Sequence, residues 1–324
     1  MEADKPALDG PGFADLFEAH RRELRAHCYR MAGALGEAED LVQETFLRAW
    51  RSRSGFEGRS TARAWLFRIA TNACLDALAG RHRRVLPCDV VSAADGLQSP
   101  VQVRAAWLEP CPEHLLDPAD DAVARETLEL TFLATIQHLS PRQRAAFLLR
   151  DVLGWTAAET ADALEVSVTA VKSSLQRARA TLRDRLPRQR EQWTNGGAVS
   201  HDERAVLRRY VEAHRHGDRQ SLADLLAEEL RAQFPPLPLW IEGREPYLDG
   251  IRRHADPGVY QWVETAANHQ PAVAVYLRAP GAQRFRLRSV QVLNVIGGRI
   301  AGIVDFHDVH VLDSFSPAVP SELA

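Results

Sequence analysis

At 324 residues the chain is long enough for two or three domains, each able to bury a core. Its 40 lysines and arginines nearly balance 43 aspartates and glutamates, for a net charge of -3, so any nucleic-acid surface has to come from local segregation of charge. The four cysteines (Cys28, Cys74, Cys88, Cys111) lack CxxC spacing, no charged-then-apolar leader opens the sequence, and no apolar run approaches the roughly 20 residues of a bilayer span. These features argue against a disulfide framework, a zinc finger, export or membrane insertion, and predict a cytoplasmic protein without metal or cofactor.

Three segments with apolar residues at intervals of three and four come first: "FADLFEAHRRELRAHCYRMAG", "EAEDLVQETFLRAWR" and "STARAWLFRIATNACLDALAG". They predict a helical block over 10–85, with Gly55 and Gly58 of "SRSGFEGRS" breaking the helix between the second and third. Residues 86–120 lose the periodicity and carry Pro87, Pro100, Pro110, Pro112 and Pro118, as a linker does. A second helical block follows over 121–190. In it, Thr156 with Glu159 three residues on reads as the N-cap of a helix from Ala157 to Leu164, Glu165 and Val166 as a turn, and Ser167 as the cap of the next helix. Steps of about 100° put Val171, Leu175, Ala178, Leu182 and Leu186 on one stripe. The opposite face carries Thr169, Lys172, Ser173, Gln176 and Arg177, with no carboxylate until Asp184. Two helices around a tight turn are either a helix-turn-helix or an ordinary helical hairpin with a solvated basic face.

"TNGGAVSHDE" at 194–203 is a polar, glycine-containing boundary. Beyond it come two predicted helices, Glu203 to His216 and Ser221 to Leu230. The runs "QWVETAANHQPAVAVYLRA" and "QRFRLRSVQVLNVIGGRIAGIVDFHD" then carry β-branched and aromatic residues at period two, with Gly297-Gly298 as a hairpin turn. Residues 200–324 therefore read as an α+β domain. Trp240, His269, Asp305 and His307 are its candidates for polar groups in a cavity, although the Asp-Phe-His-Asp run at a strand end also reads as a solvated rim. No residue is assigned a catalytic role.

The order of "AEDLVQETFLRAWR", "ARAWLFRIATNACLDAL" and "LSPRQRAAFLLRDVLGWTAAETADALEVSVTAVKSSLQRARATLR" closely resembles bacterial extracytoplasmic-function (ECF) sigma factors, over about residues 13–188. The resemblance implies two all-α sigma domains, the second with a helix-turn-helix, whose partners are core RNA polymerase and promoter DNA. By that resemblance Asp40, Gln43, Glu44 and Trp50 lie on the helix that docks on polymerase, with Trp50 either an interface or a core residue. The loop from Phe56 to Ser60 and Asn72 match the part that melts and reads the minus-ten element, where Phe56 either captures a base or anchors its loop; Arg63, Arg68 and Arg81 to Arg84 would hold phosphates. The helix from Ser167 matches the reader of the minus-thirty-five element. It offers Lys172, Arg177 and Arg179 for phosphates or guanine, Gln176 for a base edge, and Thr169 and Ser173 for either. Ser174 departs from a basic residue common in the family, so no promoter sequence is carried over.

The last domain resembles the SnoaL-like, ketosteroid-isomerase-like cone that some of these factors carry, with helices followed by a curved antiparallel sheet. "AWLEPCPE" resembles the linker motif of such members; Trp107, Leu108 and Pro110, apolar in an otherwise polar, proline-punctuated linker, are expected to be buried against the cone and to fix the spacing of the two blocks, the alternative being that the tryptophan packs on the helical block beside it. The cone, on its short tether from Leu186 to Val199, is expected to modulate sigma activity in cis, with a small molecule as a possible ligand. The competing reading is a helix-turn-helix regulator fused to a ligand-binding or isomerase-like domain. The first helical block separates the two, because a repressor has no use for a polymerase-docking helix.

Overall fold

The computed structural model describes residues 10–56, 58, 60–94, 103–116, 126–185, 199–253 and 255–315. They fall into two compact units, Met1–Arg84 with His114–Arg190, and Val85–Glu113 with Glu191–Ala324. Most of the predicted tether from Leu186 to Val199, and parts of the linker, lie outside the described residues.

The first unit is helical. Helices α1 (Gly10–Ala32), α2 (Leu35–Ser52) and α3 (Ala62–Leu78) bury Leu24, Cys28 and Met31, Leu41 and Val42, and Leu66, Phe67 and Ala70 respectively. Thr61 starts α3 by accepting the Ala64 N–H at 3.2 Å. Helices α4 (Leu130–Ile136) and α5 (Pro141–Phe147) follow, and α5 widens into a π-type turn over Leu148–Val152. Next come α6 (Ala157–Ala163) and α7 (Val168–Arg185). The caps sit where the sequence places them: Thr156 and Glu159 bond reciprocally (3.2 and 2.7 Å), and Ser167 Oγ accepts the Ala170 N–H at 3.1 Å. Glu165, with φ of 52°, makes the tight turn between α6 and α7. Val171, Leu175, Ala178 and Leu182 form the buried stripe of α7.

Within this unit the two helical blocks are joined by buried polar contacts rather than by apolar packing alone. Arg30 Nε donates to Thr127 Oγ1 at 2.8 Å, and Gln137 Nε2 donates to the Arg30 carbonyl at 3.2 Å. Arg144, 3% exposed on α5, donates to the Met31 carbonyl at the end of α1 and to the carbonyls of Ile136 (3.0 Å), Gln137 (3.0 Å) and Leu139 (3.2 Å). One guanidinium thus terminates several otherwise orphaned carbonyls, a task suited to its five fixed donors.

The second unit is α+β. Val85 of the short strand β1 (Arg84–Val85) accepts from Leu108, which follows the short strand β2 (Ala106–Trp107), at 3.0 Å. Helices α8 (His201–His216), α9 (Arg219–Leu225), α10 (Arg244–Arg253) and α11 (Val309–Asp313) accompany a six-stranded sheet. Its strands are β3 (Leu226–Gln233), β4 (Trp240–Glu242), β5 (Val259–Ala267), β6 (Gln270–Arg278), β7 (Arg286–Ile296) and β8 (Arg299–Phe306), in the order β4-β3-β8-β7-β6-β5. The core gathers Leu207, Tyr210 and Val211 of α8 with Tyr247 of α10 and Val273, Leu293 and Ile303 of the sheet.

Two expectations change here, and one turn appears that the sequence does not mark. The helix predicted over Ser221 to Leu230 ends at Leu225, and residues from Leu226 form β3. Leu, Ala and Glu favour helix locally, but pairing Ala232 with Ile303 and Gln233 with Val304 of β8 buries Leu226, Leu230 and Ala232 in the core. That β3–β8 pairing is parallel, so the sheet is mixed rather than antiparallel. Finally, "QWVETAANHQPAVAVYLRA" folds back on itself at Asn268 and His269, both with φ of 57°, so that Ala267 pairs with Gln270. This turn lacks the glycine that marks Gly297-Gly298.

Candidate functional site

On α2, Asp40 and Gln43 are exposed, while Glu44 is half-buried and accepts from Arg48 Nε at 2.7 Å. Arg48 also reaches Asp76 of α3 at 2.6 Å, so Glu44 belongs to a charge network on this surface. Trp50 is half-buried, with its ring edge-on to Phe13 at 5.3 Å and the Arg53 guanidinium over it at 3.7 Å. Leu47, 45% exposed one turn on from Gln43, adds an apolar spot to this surface.

Phe56 lies 5.1 Å from Trp65 and is half-buried, the anchoring geometry. Glu57 and Arg59 of its loop lie outside the described residues. On α3, Arg63 bonds Glu23 at 2.6 Å and covers the Phe67 ring, exposed Arg68 is 3.6 Å from Asp162 of α6, and Asn72 is half-buried. The basic end is tied down too: Arg81 and Arg84 pair with Glu37, and Arg83 with His138.

On α7, Thr169, Lys172, Gln176 and Arg177 are exposed and Ser173 is half-buried, accepting from Arg177 at 2.8 Å. Arg179 differs from the free cation expected, because its Nε and Nη2 grip both carboxylate oxygens of Asp151 at 3.0 and 2.7 Å. Lys172, Gln176, Arg179 and Arg183, with Arg150, line one concave surface. Such a face offers point charges for phosphate beside a carboxamide for a base edge.

In the second unit Leu108 and Pro110 are buried and Trp107 is half-buried. The linker is fastened at two places. Near β3 and β4, the Cys88 N–H donates to Gln233 Oε1 (3.1 Å), Trp240 Nε1 to the Val91 carbonyl (2.9 Å) and the Ala94 N–H to the Trp240 carbonyl (2.9 Å). At the β5–β6 turn, the Cys111 N–H donates to Asn268 Oδ1 (2.8 Å) and the Asn268 N–H to the Cys111 carbonyl (2.9 Å). Glu113 there accepts the His269 N–H (3.0 Å) and Nδ1 (2.7 Å), bracing a residue held in the left-handed region. Trp240 and His269 therefore bind the linker and do not line the cavity, where the sequence places them; the contacts of Val91, Ala94 and Glu113 decide their role.

The cavity, about 640 Å³, opens between the sheet and the helices α8 to α10, and Asp305 and His307 do line it. Asp305 is buried, not on a solvated rim. Behind it runs a polar chain that sequence reasoning missed: Tyr210 OH donates to Gln291 Oε1 (3.0 Å) and lies 3.1 Å from Tyr247 OH, and Gln291 Nε2 donates to Asp305 Oδ2 (3.0 Å). Burial pushes both tyrosine hydroxyls well above their usual range and keeps them neutral donors. Burial also pushes Asp305 up, but the combined pull of His307, Ser289 and Gln291 outweighs it and holds the carboxyl below its usual range. His214 is pushed down to about 4 by burial, against the attraction of Asp305, and is neutral at physiological pH. Among the described residues no cluster of three metal-ligating side chains occurs, and no helix is long and apolar enough to cross a membrane.

Comparison with known proteins adds an independent finding. Residues 16–84 match the model of Sigma-70 region 2, residues 129–182 that of Sigma-70 region 4, and residues 207–303 that of the SnoaL-like domain. The chain is 43% identical over 321 residues to the ECF RNA polymerase sigma factor SigG of Mycobacterium tuberculosis, covering 96% of this chain and 85% of that one. It is 29% identical over 178 residues to ECF sigma factor SigW of Bacillus subtilis, covering 55% and 90%. The crystal structure of Mycobacterium tuberculosis SigJ, another extracytoplasmic-function sigma factor, superposes with a TM-score of 0.61 over 93% of this chain and 98% of that one, at 21% identity, a likeness of fold.

Proposed function

The chain belongs to the ECF sigma factors, and from that premise we propose how its parts divide the work. It is a transcription factor, not an enzyme, and directs RNA polymerase to promoters. In our reading Asp40, Gln43 and Glu44, with Leu47 among them, meet polymerase; Asn72 and Arg68 serve the minus-ten element; Lys172, Gln176 and Arg177 serve the minus-thirty-five element, with Ser173 steadying Arg177. Polymerase and promoter place this activity in the cytoplasm.

The two elements lie roughly 25 base pairs apart, or roughly 85 Å at about 3.4 Å per pair. In the helical unit, by contrast, Arg144 bonds the last turn of α1 directly. One chain reading both elements has to break that junction, so the closed arrangement is the resting one.

The cone then acts through the linker. The observation that carries this is that residues 85–113, which join the two helical blocks, belong to the cone's compact unit and are bonded at Cys88, Val91, Ala94, Cys111 and Glu113. A free residue spans up to about 3.3–3.6 Å, and each one docked on the cone is withdrawn from the reach available to the blocks. Run-off transcription with core polymerase over a range of sigma concentrations tests the reading. Asn268→Gly and Trp240→Phe, which loosen the linker at its two anchor points, should change promoter-dependent transcription without abolishing core binding; unchanged transcription by both would overturn the role of the cone.

A further inference from the structure

We propose that the cavity of the cone binds a neutral, planar ring compound that presents one hydroxyl or N–H hydrogen to Asp305 Oδ1. The proposal rests on the reading of the cone as the regulatory part and names the chemistry to which it responds.

The hydrogen-bond directions leave one place unfilled. Gln291 can only accept from Tyr210 through Oε1, so its amide hydrogens point at Asp305 Oδ2. Arg288 Nη1 donates to His307 Nδ1 at 2.8 Å, which leaves the His307 proton on Nε2, 3.5 Å from the same Oδ2. Both neighbours thus serve one oxygen, and Ser289, which adds to the pull on the carboxylate, makes no hydrogen bond to the other. Asp305 Oδ1, on a residue 7% exposed, has no hydrogen-bond partner, and neither has the buried His214 Nε2. Both residues line the cavity. A buried carboxylate oxygen without a donor is costly, and a ligand hydrogen removes the cost.

The walls set the rest of the ligand's shape. Tyr260, Trp262 and His214 form a ladder of near-parallel rings, with centroids 5.5 and 5.2 Å apart and interplanar angles of 24° and 20°, and so present a flat aromatic flank. Leu222, Leu239, Leu248 and Ile251 supply apolar surface. Three arginines (Arg219, Arg252, Arg288) against two aspartates (Asp256, Asp305) line the cavity, which disfavours a second cation and excludes an ammonium as the donor. The volume of about 640 Å³ lies within the roughly 300–1,000 Å³ of pockets that take drug-sized molecules.

Isothermal titration calorimetry of the full chain with 2-naphthol, 2-methoxynaphthalene and naphthyltrimethylammonium tests the proposal. The first should bind one to one, and the other two at least tenfold more weakly. Asp305→Asn should reverse the order of the neutral pair. Its carboxamide oxygen has to take the Oδ2 place to satisfy Gln291 and His307, which turns the NH₂ toward the cavity and replaces an acceptor by a donor. His214→Phe keeps the ring ladder and should retain the wild-type preference for 2-naphthol, whether or not Asp305→Asn folds. Equal binding of the two neutral probes to wild type, tightest binding of the ammonium probe, or no binding of 2-naphthol would each overturn the proposal. Run-off transcription with and without 2-naphthol separates the two readings: selective binding with unchanged transcription supports the site and overturns its regulatory use.

Discussion

Replacing Asn268 by glycine removes the side chain that accepts the Cys111 N–H at 2.8 Å and keeps the backbone free to adopt its φ of 57°. Cys111 is 0% exposed, so its amide is left without a partner where water does not reach, a loss of about 1–3 kcal/mol. Asn268→Ala should cost about 1–2 kcal/mol more, because an alanine in the left-handed region meets the steric penalty that glycine escapes. Asn268→Asp keeps an acceptor oxygen and should lose the least of the three. Hydrogen exchange of a peptide covering residues 108–116 reads the effect directly. If the linker opens locally, exchange should accelerate roughly 5- to 150-fold for Asn268→Gly, the factor corresponding to 1–3 kcal/mol. Exchange unchanged in Asn268→Gly, or equal acceleration in all three variants, would refute the assignment of this side chain as a fastener of the linker.

Other consequences can be checked in parallel. Arg144→Lys, with three donors in place of a five-donor fork, should leave at least one of four carbonyls unserved and lower the stability of the helical unit by about 1–3 kcal/mol, seen as a lower urea midpoint. His27 is pushed down to about 3 by burial and, next, by Arg30, and its ring bonds Thr71 Oγ1 at 2.9 Å. The unfolded chain therefore takes up a proton near pH 6.5 that the folded one refuses; stability is full above that and falls as pH drops toward 3, by about 2 kcal/mol at pH 5, and denaturant titrations at pH 7 and 5 should show a smaller drop for His27→Gln. Gln176→Ala should relax selection at one base of the upstream element by about 1–3 kcal/mol, whereas Lys172→Ala should weaken all promoters alike and reduce the salt dependence, as band-shift titrations at two salt concentrations would show. Asp40→Ala should weaken co-purification with core polymerase while changing stability by no more than about 0.5 kcal/mol.

The division between what was written in the sequence and what was not follows the range of the forces. Thr156 with Glu159, Ser167 with Ala170, and the stripe Val171, Leu175, Ala178 and Leu182 could be read directly, because caps and helix faces depend on residues three and four apart. Gly297-Gly298 was legible for the same reason, since only glycine adopts its conformation freely. The ordered motifs over residues 13–188 identified the family, and the period-two runs from Gln261 onward, after two helices, identified an α+β domain. The tertiary structure decided everything that required distant residues to meet. A helical composition at 226–230 became a strand once β8 offered its edge, and Asn268 and His269 could form a turn because Cys111 and Glu113 hold them there. Arg179 looked like a free cation until Asp151 was found beside it, 28 positions away. Trp240 and His269 read as cavity residues, but Val91 and Ala94 hold the first and Glu113 the second. Tyr210, Tyr247 and Gln291 form one polar chain with Asp305, with the His214 ring edge-on to Tyr210, yet each by itself reads as an ordinary residue of a helix or strand. Local spacing encodes local bonds, whereas a buried polar group draws its partners from wherever the fold brings them, and only the assembled packing reveals which atom is left unpaired.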